Sequence, residues 1–291
     1  MTAAQLLNAL FNIGIAVSVG ATVLSLGMIH TAGQLLAPLR QVTPVVPVAV
    51  LNVVVIPAIA WLVTEALPVD DAQVAGLVLV TLGAGGAAAL KGAQLAARTD
   101  LPLAVSLVVV LQLINIVAVP LWASRIVGGT TLSAWDIVQG LLILVLAPLL
   151  VGLLVRARYG ERARAWTRGL TRVANLALVI ALAAGIGVNW STLLAMFGTW
   201  VPLASVVIIA VSALLGGVAG GRDARTHITT GLVSGLRLSS IGLIIIGTQL
   251  DSRPDYLGPA ITFALLDFVL LLATAFAIGR RAGAPTNPAT L

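Results

Sequence analysis

The chain lacks cysteine altogether, and only 9% of its 291 residues carry charge. Without cysteine there are no disulfides, no thiolate metal sites and no cysteine nucleophile. Soluble domains average about 25% charged residues, so a chain this poor in charge is not a soluble domain. Long basic soluble segments are also missing, which excludes a nucleic-acid groove reader despite the net charge of +6. The first basic residue is Arg40, so the N-terminal apolar run has no positive leader and suits a membrane span better than a signal peptide. What the chain does have is hydrophobic residues, 59% of the total, and a mean hydropathy of +1.11. It reads as an all-α integral membrane protein, and its length fits a single bundle of about ten helices.

Nine apolar segments are expected, at about 6–29, 42–64, 73–97, 101–124, 136–156, 169–190, 196–219, 226–249 and 256–279. The turns between them carry Pro, Gly, Asp and Thr, as in "ALPVDDA" (66–72) and "GGRDART" (220–226). With this segmentation, twelve basic residues fall on one side of the membrane and two, Arg125 and Arg253, on the other. Basic residues favour the cytoplasmic side. The expected protein is therefore multi-pass in a bacterial-type inner membrane, with the N-terminus outside and the C-terminus cytoplasmic. The Arg156–Arg172 cluster reads as a cytoplasmic loop, and the tail, about 282–291, as disordered.

Spans one to four can be paired with spans six to nine, and each partner is offset by five spans and so runs in the opposite direction. This is an inverted-topology repeat, as in many secondary transporters. It divides the single membrane domain into a first repeat, 1–130, and a second, 131–291.

Two cations remain inside spans. Lys91 follows "GAGGAAAL" and Arg237 follows "TTGLVSGL". A cation near the centre of a membrane helix costs about 2.5–3.5 kcal/mol even on a lenient scale. Each lies beside small residues that weaken a helix. Gly85 and Gly86 mark one candidate break, and Gly231 and Gly235 the other. The same glycines would also serve close helix packing. Asp267, in "FALLDFVLLL", is the one acidic residue deep in a span. It is a partner for the cations, a static ion-pair member, or a proton site. Two cations and one carboxylate leave a positive charge over, which suits an anionic substrate. Asn52 stands out because its amide shortly precedes Pro57, which must interrupt helical hydrogen bonding. Asn115 and Thr229 are further polar candidates within spans.

At these residues the chain resembles the bile acid:sodium symporter superfamily. The similar stretches are 49–110, with "AGG" (84–86) where that family has Pro-Gly-Gly, "AARTDLPLAVSL" (96–107), and "THITTGLVSGLRLSSIGLIII" (226–246). The resemblance implies two crossing discontinuous helices in a core domain, a separate panel domain, alternating access, and transport of organic anions, usually with sodium. The positions implied for sodium ligands are stripped of oxygen here. They fall near Ala89, Leu90 and Lys91, near Ala104 and Val108, and near Thr229, while Asn52 keeps its amide. Hard cations need oxygen-rich sites. The expectation is therefore that Lys91, with Arg237, replaces sodium in a transporter that is proton-linked or uncoupled.

A sodium-coupled symporter of the same family, or a non-transport membrane scaffold, are the alternatives. No enzyme, cofactor or metal site is expected. "GLVSG" (231–235) is not a nucleophile elbow and has no intramembrane histidine beside it. The partners expected are a small organic anion, protons and the lipid bilayer.

Overall fold

The computed structural model describes residues 3–31, 33, 42–86, 88–96, 98–126, 135, 139, 142–188, 190–250 and 253–281. Arg40, Asp136, Asp251 and the 282–291 tail lie outside them. Among the described residues every regular element is helical. Strands are not expected here, because each span must satisfy its own backbone groups in lipid.

The chain opens with α1 (Ala3–Ile29). Helix α2 is one continuous rod made of Val42–Val50, a π turn at Leu51–Val55, and Ile56–Glu65. The next apolar segment is split into α3 (Asp71–Leu82) and α4 (Ala88–Ala96). Asp70 starts α3 through a capping box with Gln73, which satisfies two otherwise orphaned amides. Helix α5 (Leu101–Ile126) follows. A π turn at Leu142–Leu146 leads into Ala147–Tyr159, together α6, and α7 is Glu161–Val188. A short α8 (Trp190–Met196) precedes α9 (Val201–Gly220). The second split segment comprises α10 (Ala224–Gly235) and α11 (Ser239–Gln249), and α12 (Pro254–Arg281) closes the fold.

Among the described residues, seven helical stretches are long and apolar enough to cross a membrane, against nine expected segments. The segment expected at 73–97 drops out because the split leaves α3 and α4 each too short. Most of the start of the segment expected at 136–156 lies outside the described residues. The arginine-rich stretch read as a loop is instead helical on both sides of Gly160: Arg156 and Arg158 end α6, and the remaining arginines fall in the first turns of α7, which begins at Glu161. Ala, Arg and Leu are good helix formers, and Glu161 carries the negative charge that a helix start favours.

Helix α1 packs mainly against α7 and α6, and these three form one group. The other helices pack around the two split segments, with α12 lying against α3, α4, α9 and α11. Phe11, Ile56, Leu77, Leu79, Leu107, Ile208 and Phe263 are fully buried in the shared core. The outward faces are apolar as well: Leu62, Val117, Leu214 and Val218 are each more than 60% exposed. Such a rim matches the hydrocarbon of a bilayer.

Candidate functional site

The two interruptions meet each other. The first runs through Gly83–Gly86 and the second through Leu236–Leu238. Leu238 N–H donates to Gly83 O at 2.8 Å, and Gly86 N–H donates to Leu236 O at 3.2 Å. Each break thus supplies hydrogen bonds that its own helices cannot. The approach leaves no room for side chains: a Cβ on Gly83 would lie 2.2 Å from Leu238 O, and one on Gly86 2.7 Å from Arg237 O. Gly85 has φ +71°, a conformation open to glycine and costly for other residues. Helix α5 tends the remaining backbone groups. Asn115 accepts from Ala84 N–H at 3.3 Å and donates to Ala84 O at 2.9 Å, and Gln112 donates to Gly85 O at 3.3 Å.

Arg237 sits inside the second break and is 4% exposed. Its guanidinium donates to Asn52 Oδ1 at 2.5 Å, to Asn52 O at 3.2 Å, to Ser234 O at 3.5 Å and to Thr81 O. These oxygens are free for physical reasons. Thr81 and Ser234 lie in the last turns of α3 and α10, where carbonyls have no helical partner and the helix dipole is negative. Asn52 O is free because Ile56 N–H has shifted to Leu51 O in the π turn and Pro57 has no N–H to give. The neighbouring carbonyl, Val53 O, is taken by Trp122 Nε1 at 2.8 Å. The Asn52 side chain is held in turn, donating to Ser234 Oγ and to Val48 O at 2.8 Å each.

Asp267, on α12, is 3% exposed. It does not bind the guanidinium. Its Oδ2 accepts the backbone N–H of Arg237 at 3.1 Å, and Oδ1 has no hydrogen-bond partner. Of the alternatives for Asp267, a side-chain ion pair is not what this geometry shows; the contact is between amide and carboxylate. The guanidinium is drawn to the helix C-termini, which offer it several oxygens at once.

A cavity of about 120 Å³ opens beside this pair, between the α1–α7 group and the crossing. Ser18 and Thr22 of α1 line it, with Gln112, Arg237, Ser239 and Asp267. Much of the remaining wall is apolar, including Val19, Leu243 and Phe268. Gly86 and Ala88 bring the start of α4 to this cavity, and Ser239 and Ser240 bring the start of α11. Ser239 Oγ and Arg237 Nε are buried without partners, like Asp267 Oδ1. The crossing is thus polarised. The C-termini of α3 and α10 surround a fixed cation, and the N-termini of α4 and α11 face an open space that favours negative charge.

The other expected residues lie elsewhere. Lys91 is on α4 but does not line the cavity. Its Nζ donates to Asn175 Oδ1 on α7 at 2.8 Å, tying the two helix groups together. Thr229 is buried on α10, donates to Arg225 O at 2.7 Å and accepts from Asp100 N–H at 2.8 Å. It closes the turn between α4 and α5. Gly231 and Gly235 stand within α10, ahead of the break. A Cβ on Gly231 would lie 2.9 Å from Ala213 O of α9, and one on Gly235 2.7 Å from the Leu271 side chain. Their smallness admits neighbouring helices, and the interruption itself falls on Leu236–Leu238.

The sequence model of the sodium bile acid symporter family matches residues 16–194, well over half of the chain. The chain belongs to the sodium bile acid symporter family. Among curated proteins none matches it. Membership points to a membrane transporter of the bile acid and organic anion kind. In this symporter-family chain the matched region holds Asn52, the first break and Lys91, while Arg237 and Asp267 lie beyond it.

Sequence reasoning missed Thr81 and Trp122, whose roles depend on a backbone carbonyl and a distant indole. Ser18 and Thr22 carried a readable signal: two hydroxyls four residues apart share one helix face.

Proposed function

We propose that this symporter-family chain is a secondary transporter of a small organic anion that works by alternating access without sodium, either proton-linked or uncoupled. The observation that carries the reading is the polarity of the crossing. Two helix C-termini and the π turn of α2 assemble oxygens of the kind a hard cation takes, and the Arg237 guanidinium already occupies them. The opposite side presents two helix N-termini to a cavity. In transporters, such half-helix ends commonly face anionic substrate groups.

The cavity lies between the α1–α6–α7 group and the helices of the crossing. Relative rocking of these groups, as panel and core, would expose it to either side in turn. The full architecture in this reading has nine spans in two inverted repeats, with the N-terminus outside and the C-terminus in the cytoplasm of a bacterial-type inner membrane. The sodium in the family's description favours a second reading, a sodium-coupled symporter.

Uptake of radiolabelled benzoate and taurocholate into proteoliposomes decides between them. Equal initial rates in sodium and in choline buffer are expected for at least one of the two anions. Uptake that requires sodium overturns the first reading in favour of the second.

A further inference from the structure

Arg237 is fully committed as a cation. Both terminal nitrogens of its guanidinium go to Asn52, Thr81 and Ser234. Arg237, Ser239 and Asp267 all line the cavity, and each has one buried side-chain atom without a partner: Nε, Oγ and Oδ1. Each belongs to a residue more than nine-tenths buried, and none has a partner. Two of the three can donate. The third is a carboxylate oxygen, on a residue that shares the cavity lining with Ser239 and Ser240 at the start of α11.

An ionised Oδ1 repels a substrate carboxylate that approaches Ser239 and Arg237. A proton on Oδ1 makes it a donor instead. The titratable and charged groups on helices packed against α12 are Asp71, Lys91, Arg225, His227 and the Glu161–Arg172 cluster, with Asp255, Tyr256, Arg280 and Arg281 at the ends of α12 itself. None of these lines the cavity; Arg237 does.

We infer that Asp267 takes up one proton as a compact monocarboxylate enters the cavity, with Oδ1–H donating to the incoming carboxylate beside Ser239 and the N-terminus of α11. The inference rests on the anion-transport reading above and deepens it. The balance is simple. One O–H bond forms at Asp267 with a proton from solvent, and the same proton leaves when the anion leaves. The substrate brings one negative charge and Asp267 loses one, so the site has the same formal charge empty and loaded. Both states then cross the membrane at similar electrostatic cost, and transport is electroneutral. The modest cavity, about 120 Å³ with mostly apolar walls, selects a compact acid with an apolar body over a large or multiply charged one.

Benzoate is the probe. Calorimetric titration of the purified full chain, near neutral pH in PIPES and in Tris, measures linked protons from the difference in buffer ionisation heat. About one proton per benzoate is expected. Asp267→Asn keeps a donor at the same place, so it should bind benzoate with about zero linked protons. Ser239→Ala should weaken binding roughly 10-fold and leave the proton count alone. Benzoate binding by the wild-type chain without a linked proton overturns the proposal, as does a proton count that survives Asp267→Asn. Should Asp267→Asn fail to fold, the wild-type count and Ser239→Ala still decide. Absence of benzoate binding by the folded chain overturns the compact-acid class. In proteoliposomes, benzoate uptake should ignore a valinomycin-set potential. Uptake that persists but follows the potential sinks this proposal and leaves the transport reading standing, whereas no uptake of any anion sinks both.

Discussion

The guanidinium of Arg237 lies against Asn52, with 2.5 Å between Nη1 and Oδ1, although 185 positions separate the two residues in the chain. Asn52 also donates to Ser234, three residues before Arg237. One amide on α2 therefore fixes both the cation and the helix end that the cation caps.

Removing that amide should cost stability. Asn52→Ala takes an acceptor from a buried cation and a donor from Ser234 Oγ and Val48 O. A loss of about 3 kcal/mol is expected, because breaking a buried charged contact leaves the other partner unpaired. Arg237→Met in the same background should add less than it does alone, with a coupling of about 1–3 kcal/mol. Unfolding of the purified protein in detergent, across the four-member cycle, measures both quantities. Additive losses would mean that the contact is not energetically real.

Gly83 should tolerate no side chain. Its Cβ would meet a backbone oxygen at 2.2 Å, and a backbone atom in a hydrogen-bonded crossing cannot step aside. Gly83→Ala is expected to abolish uptake and to destabilise by about 2 kcal/mol or more, in the range for overpacked sites. Gly169, inside α7, has nothing within 4 Å of its would-be Cβ. Gly169→Ala should therefore stabilise by up to about 1 kcal/mol through helix propensity. Thermal unfolding of the two variants side by side tests the contrast.

Lys91 is expected to act apart from the anion. Its hydrogen bond to Asn175 is exposed, so Lys91→Ala and Asn175→Ala should each change stability by less than about 1 kcal/mol. Both variants should keep the stabilisation that benzoate confers, measured as a shift in unfolding temperature. Because Lys91 is the one lysine in the chain, amine acylation offers an independent check. Acylated protein that loses benzoate binding would put Lys91 back at the site.

Stability should fall in mild acid through His30. Partial burial, with Arg164 and Arg156 nearby, pushes its imidazole below the ordinary value of 6.5. The folded chain then holds fewer protons than the unfolded one. The associated stability is fully present above pH 6.5, and it declines as pH falls through the depressed folded value. Unfolding temperatures across this range should drop, and His30→Gln should flatten the decline. An unchanged decline in the variant would assign it to other groups.

Composition by itself determined that the chain is helical and belongs in a membrane. With 9% charge and 59% hydrophobic residues no other solvent will take it, and lipid leaves the backbone little choice but helix. The sequence also marked Arg237, Asp267 and Asn52, because a polar group amid apolar neighbours is expensive and therefore visible. It marked Gly85 and Gly86 for the same kind of reason, since glycines disfavour helix. It could not place the second break on Leu236–Leu238, whose side chains carry no helix-breaking signal. That break is set by hydrogen bonds to Gly83 and Gly86, about 150 residues away. Nor could sequence tell which of two symmetric-looking cations faces the crossing. Only the tertiary structure decided that, by bringing the spare carbonyls of Thr81, Ser234 and Asn52 around Arg237 and leaving Lys91 to Asn175. The reason is physical: backbone carbonyls have no letter in a sequence, and helix ends exert their fields only on what folding brings beside them.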